Sequence, residues 1–421
     1  MTQKDALEIL KMGYNCYIKG AAGSGKTHLL NEYIKFLKNK GVEVGITAST
    51  GIAATHMGGN TIHSWSGLGI KDSLTEYDLE DLESKKYLVN RFKDTAVLII
   101  DEVSMIHHFR LDLIERIARH LKRNQLPFGG MQVILCGDFF QLPPVSRMGE
   151  EEALFPYKSE TWKKLNLKIC YLEEQHRHKD DKFIKILNGI RSNNISEESL
   201  CLLRSRMGQC LVKGIEPTKL HTHNINVDTI NDFELNKLPG QMFMFQMESK
   251  GRKAFVEALK KSCLAPEVLR LKVGSKVMFV KNNFEEGYAN GTLGKVVKCS
   301  NFGPEVMLNS GKIIKPEKVT WVIENEGKIG ASIQQYPLRL AWAITVHKSQ
   351  GMSLDSVEVD LSKSFEKGMG YVALSRVRSL DGLKLVGLNN NALEVREDVL
   401  IFDDNLKEIS HKNDIWLHSL S

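Results

Sequence analysis

No stretch of the 421 residues approaches the roughly 20 consecutive apolar residues that a bilayer-spanning helix needs, so no membrane partner is expected. Cysteine is scarce. The seven thiols are odd in number and include no Cys-x-x-Cys pair, which points to a reducing compartment and away from a structural zinc. Met1 to Lys11 alternates polar and apolar residues like a helix and lacks the hydrophobic stretch of a signal peptide. No transit-like leader stands ahead of the first motif, so a cytoplasmic protein is expected. Strong charge of one sign is missing too. The net +6 permits a polyanionic partner without demanding one. What is present, 42% hydrophobic and 26% charged residues, is the composition of a soluble globular protein, and the length suits two to three domains.

One stretch organises the rest. Gly20-Ala21-Ala22-Gly23-Ser24-Gly25-Lys26-Thr27 fits Gly-x4-Gly-Lys-Ser/Thr, a phosphate-binding loop. Its glycines let backbone N–H groups converge on nucleotide phosphates, Lys26 reaches the β- and γ-phosphates, and Thr27 can hold Mg²⁺. Asn15 to Lys19 reads as a strand entering the loop and His28 to Lys38 as a helix leaving it. ATP and Mg²⁺ are therefore the expected cofactors.

Strand signals then recur at the spacing of βαβ units, at Val42 to Thr47, Val97 to Ile100, Val133 to Cys136 and Lys168 to Leu172. Residues 1–170 read as a doubly wound α/β domain. Asp101-Glu102 follows the continuous apolar run 97–100, at the strand end where such sheets bind ligands. Asp101 is placed to hold Mg²⁺, and Glu102 to accept a proton from an attacking water. Gln141, in the proline-braced turn Gly137 to Val145, is placed at the same edge as a nucleotide sensor. Gln3, on a first helix, is by itself only an exposed glutamine. Thr50, Gly51 and Thr61 are small residues suited to a close approach to phosphates, while Ser49 or Thr50 equally suits the N-cap of an alanine-rich helix; His63 alone reads as a core histidine.

Residues 67–94 are acidic and lack strong strands, as an insertion would. Lys158 to Lys168 reads as a surface helix carrying Trp162. A second α/β pattern occupies 171–270 and 336–395, with strands at Lys219 to Thr222, Leu338 to Ala343, Val357 to Asp360 and Lys384 to Leu388. Short β runs between glycine turns make 271–335 a small antiparallel barrel inserted into it. Arg177 and Arg376 are the arginines placed to meet a γ-phosphate. The turn Thr345 to Ser353, holding His347, Lys348 and Gly351, suits nucleic-acid phosphates on one side and ATP on the other. Residues 396–421 read as a helical tail docking on the second core. Phe139, Trp65, Tyr288 and Trp342 are the candidate base-stacking aromatics.

Taken together these stretches resemble the PIF (petite integration frequency) family of superfamily 1 DNA helicases, which has RecD- and Dda-type relatives. The most specific stretch runs from Asp112 to Gln132 and on into Gly137 to Val145, and is similar to the family's signature segment. Thr61 to Ser64, Asn290 to Gly294 and the His347 and Tyr371 stretches match further family blocks. The resemblance implies two RecA-like P-loop NTPase cores, a wedge at 67–94 and an SH3-like inserted domain. It implies ATP-driven 5′ to 3′ translocation on single-stranded DNA. It also implies unwinding of forked duplexes, RNA–DNA hybrids and G-quadruplexes, by a monomer serving DNA repair, recombination, replication and telomere maintenance. Gln3 matches the adenine-reading glutamine. Gln141, Arg177 and Arg376 match γ-phosphate sensors, Arg376 as the arginine finger. Thr50, Gly51, Thr61, His63, His347 and Lys348 fall in blocks that line the DNA path. The family's usual Arg-Gln is here Arg177-His178. The alternative is a DNA-stimulated ATPase that remodels nucleoprotein without separating strands.

Overall fold

The structure, a computed structural model, describes residues 1–69, 71–141, 143–144, 154–175, 180–209, 216–222, 227–283, 285–325, 328–364 and 366–420. The chain divides into two compact units. One comprises Met1–His176, Glu324–Lys328 and Ile401–Ser421; the other comprises Arg177–Ile323 and Ile329–Leu400.

The first unit is built on six parallel strands: β1 (Cys16–Gly20), β2 (Val44–Ala48), β3 (Asn60–Thr61), β4 (Val97–Asp101), β5 (Gln132–Gly137) and β6 (Lys168–Leu172), in the order β3-β2-β4-β5-β1-β6. β1 and β4 are buried at every position, as the unbroken apolar run 97–100 requires of strands covered on both faces. Helices α1 (Gln3–Lys11) and α2 (Lys26–Asn39) close one side. Ala6, Ile9, Leu10, Leu29, Leu30 and Tyr33 pack there against Ile18, Ile99 and Ile134.

α3 (Gly51–His56) and α4 (Ile62–Ser66) follow β2 and β3. The acidic segment forms α5 (Glu76–Ser84), opened by a Thr75/Asp78 capping box, and α6 (Lys86–Asp94). α7 (His108–Lys122) holds both through a ladder of cations. Arg110 pairs with Asp72 at 2.5 Å and Arg116 with Glu76 at 2.6 Å, while Arg123 and His120 share Glu83 at 2.8 and 3.1 Å. Lys122 donates to the carbonyls of Phe92 and Thr95.

The signature stretch gives this ladder its footing. Phe128, Gly129 and Gly130 are consecutive left-handed residues with φ of 51°, 64° and 79°. They turn the chain sharply, so that Phe128 is wholly buried. A Cβ on Gly129 would stand 2.7 Å from Lys122 Cβ and 2.9 Å from the Ala118 carbonyl.

Two expectations are corrected in this unit. Only Glu160–Lys164 of the 158–168 stretch is α-helical, and Trp162, half-buried, joins an aromatic cluster with Tyr17 and Phe139 at 4.9 and 5.8 Å. The C-terminal helix Glu397–His418 belongs from Ile401 onward to the first unit, not to the second core. The reason is the edge of the sheet. β6 is a terminal strand with unsatisfied backbone groups, and the helix covers them: Ser410 Oγ accepts from Tyr171 N at 3.0 Å and Asn413 Nδ2 donates to the Ile169 carbonyl at 3.1 Å.

The second unit carries a four-stranded parallel sheet in the order Ala343–Thr345, Thr218–His221, Val357–Leu361, Leu383–Leu388. The run Leu338 to Ala343, expected to be one strand, serves two sheets. Leu338–Leu340 pairs antiparallel with Lys276–Phe279, and only Ala343–Thr345 joins the parallel sheet. The β-rich insertion also begins before residue 271. Phe243–Gln246 pairs with Val268–Leu271, and Phe245 and Leu269 enter the same core as Val277, Phe279 and Val306. Gly291, at φ 93°, lies so close to Ser353 that a Cβ would meet its carbonyl oxygen at 2.5 Å, and Leu293 N donates to Asp355 at 3.0 Å. The Asn290 to Gly294 block thus seats the insertion on the turn that follows the 343–345 strand. Among the described residues no helix is long and apolar enough to cross a membrane.

Replacing Gly129 with alanine both strains a left-handed backbone and forces Lys122 aside. It should destabilise the first unit by about 2 kcal/mol, lowering its melting temperature by about 4–8 °C. A melting temperature unchanged to within about a degree in calorimetry would contradict this role.

Candidate active site

Parallel pairing sets the ends of the central strands level. Ile18 aligns with Cys136, Ile100 with Leu135, and Ala48 with Asp101. The phosphate loop, Asp101-Glu102 and the Asp138–Gln141 turn therefore leave the sheet along one edge, the crevice side of an open α/β sheet.

The loop is shaped by Gly23 and Gly25, at φ 88° and 81°, and a Cβ at Gly20 would collide with Ser24 Oγ at 2.2 Å. The second of these glycines caps α2, so the helix begins at Lys26, two residues before the expected start. Lys26 Nζ donates to the carbonyls of Gly20 and Ala21 at 2.8 and 3.0 Å, which places the ammonium over the loop. Ser24 Oγ is buried without a hydrogen-bond partner among the described residues. Gln3 Nε2 donates to the Ser24 carbonyl at 3.2 Å, tying the start of α1 to the loop.

Asp101 is buried. Burial pushes its carboxyl above the usual range, opposed by hydrogen bonds from the Cys136 thiol and Glu102 N and by the charge of Lys26. The Glu102 N–Asp101 Oδ1 bond is 2.8 Å. Glu102 sits at φ 52°, a left-handed conformation that costs a non-glycine residue of order 1 kcal/mol. Strain of this kind concentrates where a side chain must point in one direction. Gln141 is buried, its N–H bonded to the Asp138 carbonyl at 2.9 Å.

Thr50 and Thr61 cap α3 and α4, accepting from Ala53 N and Ser64 N, each at 3.3 Å. The pairing of Ala48 with Thr61 brings these two caps and Gly51 to the same edge. His63 lies on α4, half-buried, with Nε2 lacking a partner among the described residues. Burial, with Arg110 and His107 beside it, pushes its imidazole down to about 4 against the smaller pull of Asp72.

Within the second unit, Arg376 is almost fully buried. Its Nε donates to the Val372 carbonyl at 3.1 Å, at the end of the helix Met369–Leu374. Gly351 takes φ 75° in the turn after Ala343–Thr345. Burial lowers the His347 imidazole's pKa. Lys348 Nζ lies 3.5 Å from Asp228, a carboxylate it shares with a second cation. Arg339, buried, reaches the same carboxylate at 3.6 Å and keeps Nε without a partner among the described residues. An arginine inside a short strand gives no motif signal. Arg177 and His178 lie outside the described residues.

A sequence profile of the PIF1-like helicases matches residues 3–201, and one for the 2B domain of DNA helicase Pif1 matches 254–299. The ATP-dependent DNA helicase Pif1 of Psychrobacter sp. (strain PRwf-1) is 44% identical, over 97% of this chain and 71% of that protein. The chain belongs to the PIF1-like helicase family. The solved structure of Bacteroides sp. Pif1 in complex with ADP-AlF4 superposes with a TM-score of 0.85 at 30% identity, covering 96% of each chain. The Bacteroides Pif1 helicase in complex with ADP-AlF3 and ssDNA covers the same shares, at 30% identity and a TM-score of 0.64. The profile for the 2B domain begins at residue 254, consistent with a β-rich insertion that starts earlier than 271.

In this PIF1-like helicase most of the candidate stacking aromatics are core residues. Phe139 is 2%, Trp65 5% and Tyr288 3% exposed, packed on Tyr17, Phe92 and Phe279 respectively. Trp342 alone of the four is half-buried.

His63 yields a pH test. Its folded pKa of about 4 lies below the ordinary 6.5, so between these values the unfolded chain binds a proton that the folded chain refuses. Stability should fall as pH drops through that window and be insensitive to this group above it. Between about pH 7.5 and about pH 5 the wild type should lose more melting temperature than His63→Gln. Equal losses would mean that the imidazole is not held neutral by the fold.

Proposed function

We propose that this chain is an ATP-dependent DNA helicase that translocates 5′ to 3′ on single-stranded DNA. The observation that carries this reading is the convergence, on one strand-end edge of the first unit, of the phosphate loop, the Asp101-Glu102 pair and the Gln141 turn. A sheet edge so equipped is built to bind and split a nucleoside triphosphate. Membership of a helicase family whose relatives include a structure with nucleotide mimic and ssDNA gives the work its object.

The roles follow from chemistry and position. Gly20 to Thr27 cradle the phosphates, Lys26 neutralises them, and Gln3 reads the adenine beside the loop. Thr27 and Asp101 offer a hydroxyl and a carboxylate, the hard oxygen donors that Mg²⁺ prefers. Mg²⁺ would neutralise charge on the phosphates. Glu102, fixed by its backbone conformation, accepts the proton of the attacking water, and Gln141 orients that water against the γ-phosphate. Arg177 and Arg376 supply positive charge as the phosphoryl group transfers, Arg376 as the arginine finger, and Gly351 lies on the nucleotide side of its turn. Thr50, Gly51, Thr61 and His63 from the first unit, and His347 and Lys348 from the second, contact the DNA strand. A neutral His63 then serves as a hydrogen-bonding or packing contact, not a charge partner. α5 and α6 form the wedge that separates strands. The substrates are forked duplexes, RNA–DNA hybrids and G-quadruplexes, and the active species is a cytoplasmic monomer.

The test is ATP hydrolysis by wild type, Lys26→Ala, Gln141→Ala and Arg376→Ala, with and without single-stranded DNA. DNA should stimulate the wild type strongly. Each variant should lose about 100-fold or more of the stimulated rate while binding DNA with affinity within about three-fold of wild type. A stimulated rate within a few-fold of wild type in any variant removes that residue from the site.

A further inference from the structure

Lys19 is an ammonium sealed inside the first unit. It occupies β1 one residue before the phosphate loop and is fully buried. Its Nζ is paired with Asp403 and lies 3.8 Å from Asp138 Oδ1. The rings of Phe140 and Tyr171 face it at 4.5 and 5.1 Å. Asp138 and Asp403 are themselves buried, at 0% and 3% exposure. Tyr171 Oη donates to Asp403 Oδ2 at 3.1 Å, and Lys407 Nζ stands 3.2 Å from the same carboxylate.

Two partners of this ammonium, Asp138 and Phe140, lie in one turn, and a third, Asp403, sits beside a residue that packs on it. Asp138 Oδ1 accepts from Phe140 N at 3.3 Å, and the Asp138 carbonyl accepts from Gln141 N. Phe139 meets Phe402, the neighbour of Asp403, at 5.7 Å, and Phe402 also stacks on Tyr157 at 4.0 Å. Each of the three residues ahead of Gln141 is thus gripped. Asp138 is held through Lys19, Phe139 through Phe402, and Phe140 against the ammonium. A buried ion pair is rarely the cheapest way to stabilise a fold, since apolar residues of similar volume often do as well. What this cluster adds is a fixed position for the turn.

We propose that Asp403 is a positioning residue for ATP turnover: delivered by the C-terminal helix, its carboxylate holds Lys19 against Asp138 and thereby sets the Asp138–Gln141 turn. The inference rests on the reading of Gln141 as the residue that orients water at the γ-phosphate. Phe402 and Asp403 then act on the nucleotide edge through the turn, although Asp403 touches no substrate.

Asp403→Asn keeps the shape of the side chain and removes its charge. With saturating ATP and single-stranded DNA, its kcat should fall about ten-fold, while KM for ATP and DNA affinity stay within about two-fold of wild type. Asp403→Glu, which restores the charge, should recover part of the loss. Glu408→Ala, on the exposed face of the same helix, should behave as wild type. The proposal is overturned by an Asp403→Asn kcat within about two-fold of wild type, or by a loss of kcat matched by equal losses of ATP and DNA binding. Should Asp403→Asn not fold, Tyr171→Phe, which removes the hydroxyl that donates to the Asp403 carboxylate, is read by the same criteria. Gln141→Ala, run in parallel, separates the two failures. If it turns over ATP at the wild-type rate, the reading of Gln141 has failed. If it is slow while Asp403→Asn is normal, only the positioning role has.

Discussion

The parallel register of the first sheet is the constraint on which the rest depends. Strands that run the same way and start level also end level, so every loop that leaves β1, β4 and β5 leaves on one side. The cost is that these strands are buried on both faces, and any polar group they carry must find its partner inside. Thr47 Oγ1 bonds the Ile99 carbonyl at 2.6 Å, Asp101 takes the Cys136 thiol and Glu102 N, and Lys19 takes two carboxylates. The chemistry of the edge and the polar repairs beneath it are consequences of one arrangement.

The same strand end also feeds the insertion. α7 follows Glu102 after one short turn and carries the cations that hold α5 and α6. Most of these pairs are exposed, and singly each is worth little. Their number, together with Lys122 on backbone carbonyls and the left-handed turn at Phe128–Gly130, makes the helix and the insertion one packed body. The signature stretch is in this respect a bracket rather than a binding loop.

Much of this was legible in the chain, for identifiable reasons. The phosphate loop declares itself because glycine, lysine and threonine are required at fixed offsets, and Asp101-Glu102 because a continuous apolar run can only be a doubly covered strand. The acidity of residues 67–94 and their want of strand patterns mark a segment outside the sheet, and it forms α5 and α6. Other features were invisible because they depend on partners far away in sequence. Nothing near Asp403 announces that it neutralises Lys19 at the other end of the chain, so the tail could not be assigned to its unit. The apolar run 338–343 hides a crossover between two sheets. Trp65, Phe139 and Tyr288 look alike on the page whether they stack on bases or on one another. Arg339 carries no motif and is found only through the carboxylate it shares with Lys348.

In the proposed function, nucleotide hydrolysis at this edge moves the chain along one DNA strand in a fixed direction. The most direct measurement is unwinding of two duplexes, identical but for a 5′ or a 3′ single-stranded overhang, with ATP hydrolysis followed in the same reactions. The expected result is DNA-stimulated hydrolysis with both substrates and strand separation only from the 5′ overhang. Stimulated hydrolysis with neither duplex opened, or opening from the 3′ overhang, would contradict it.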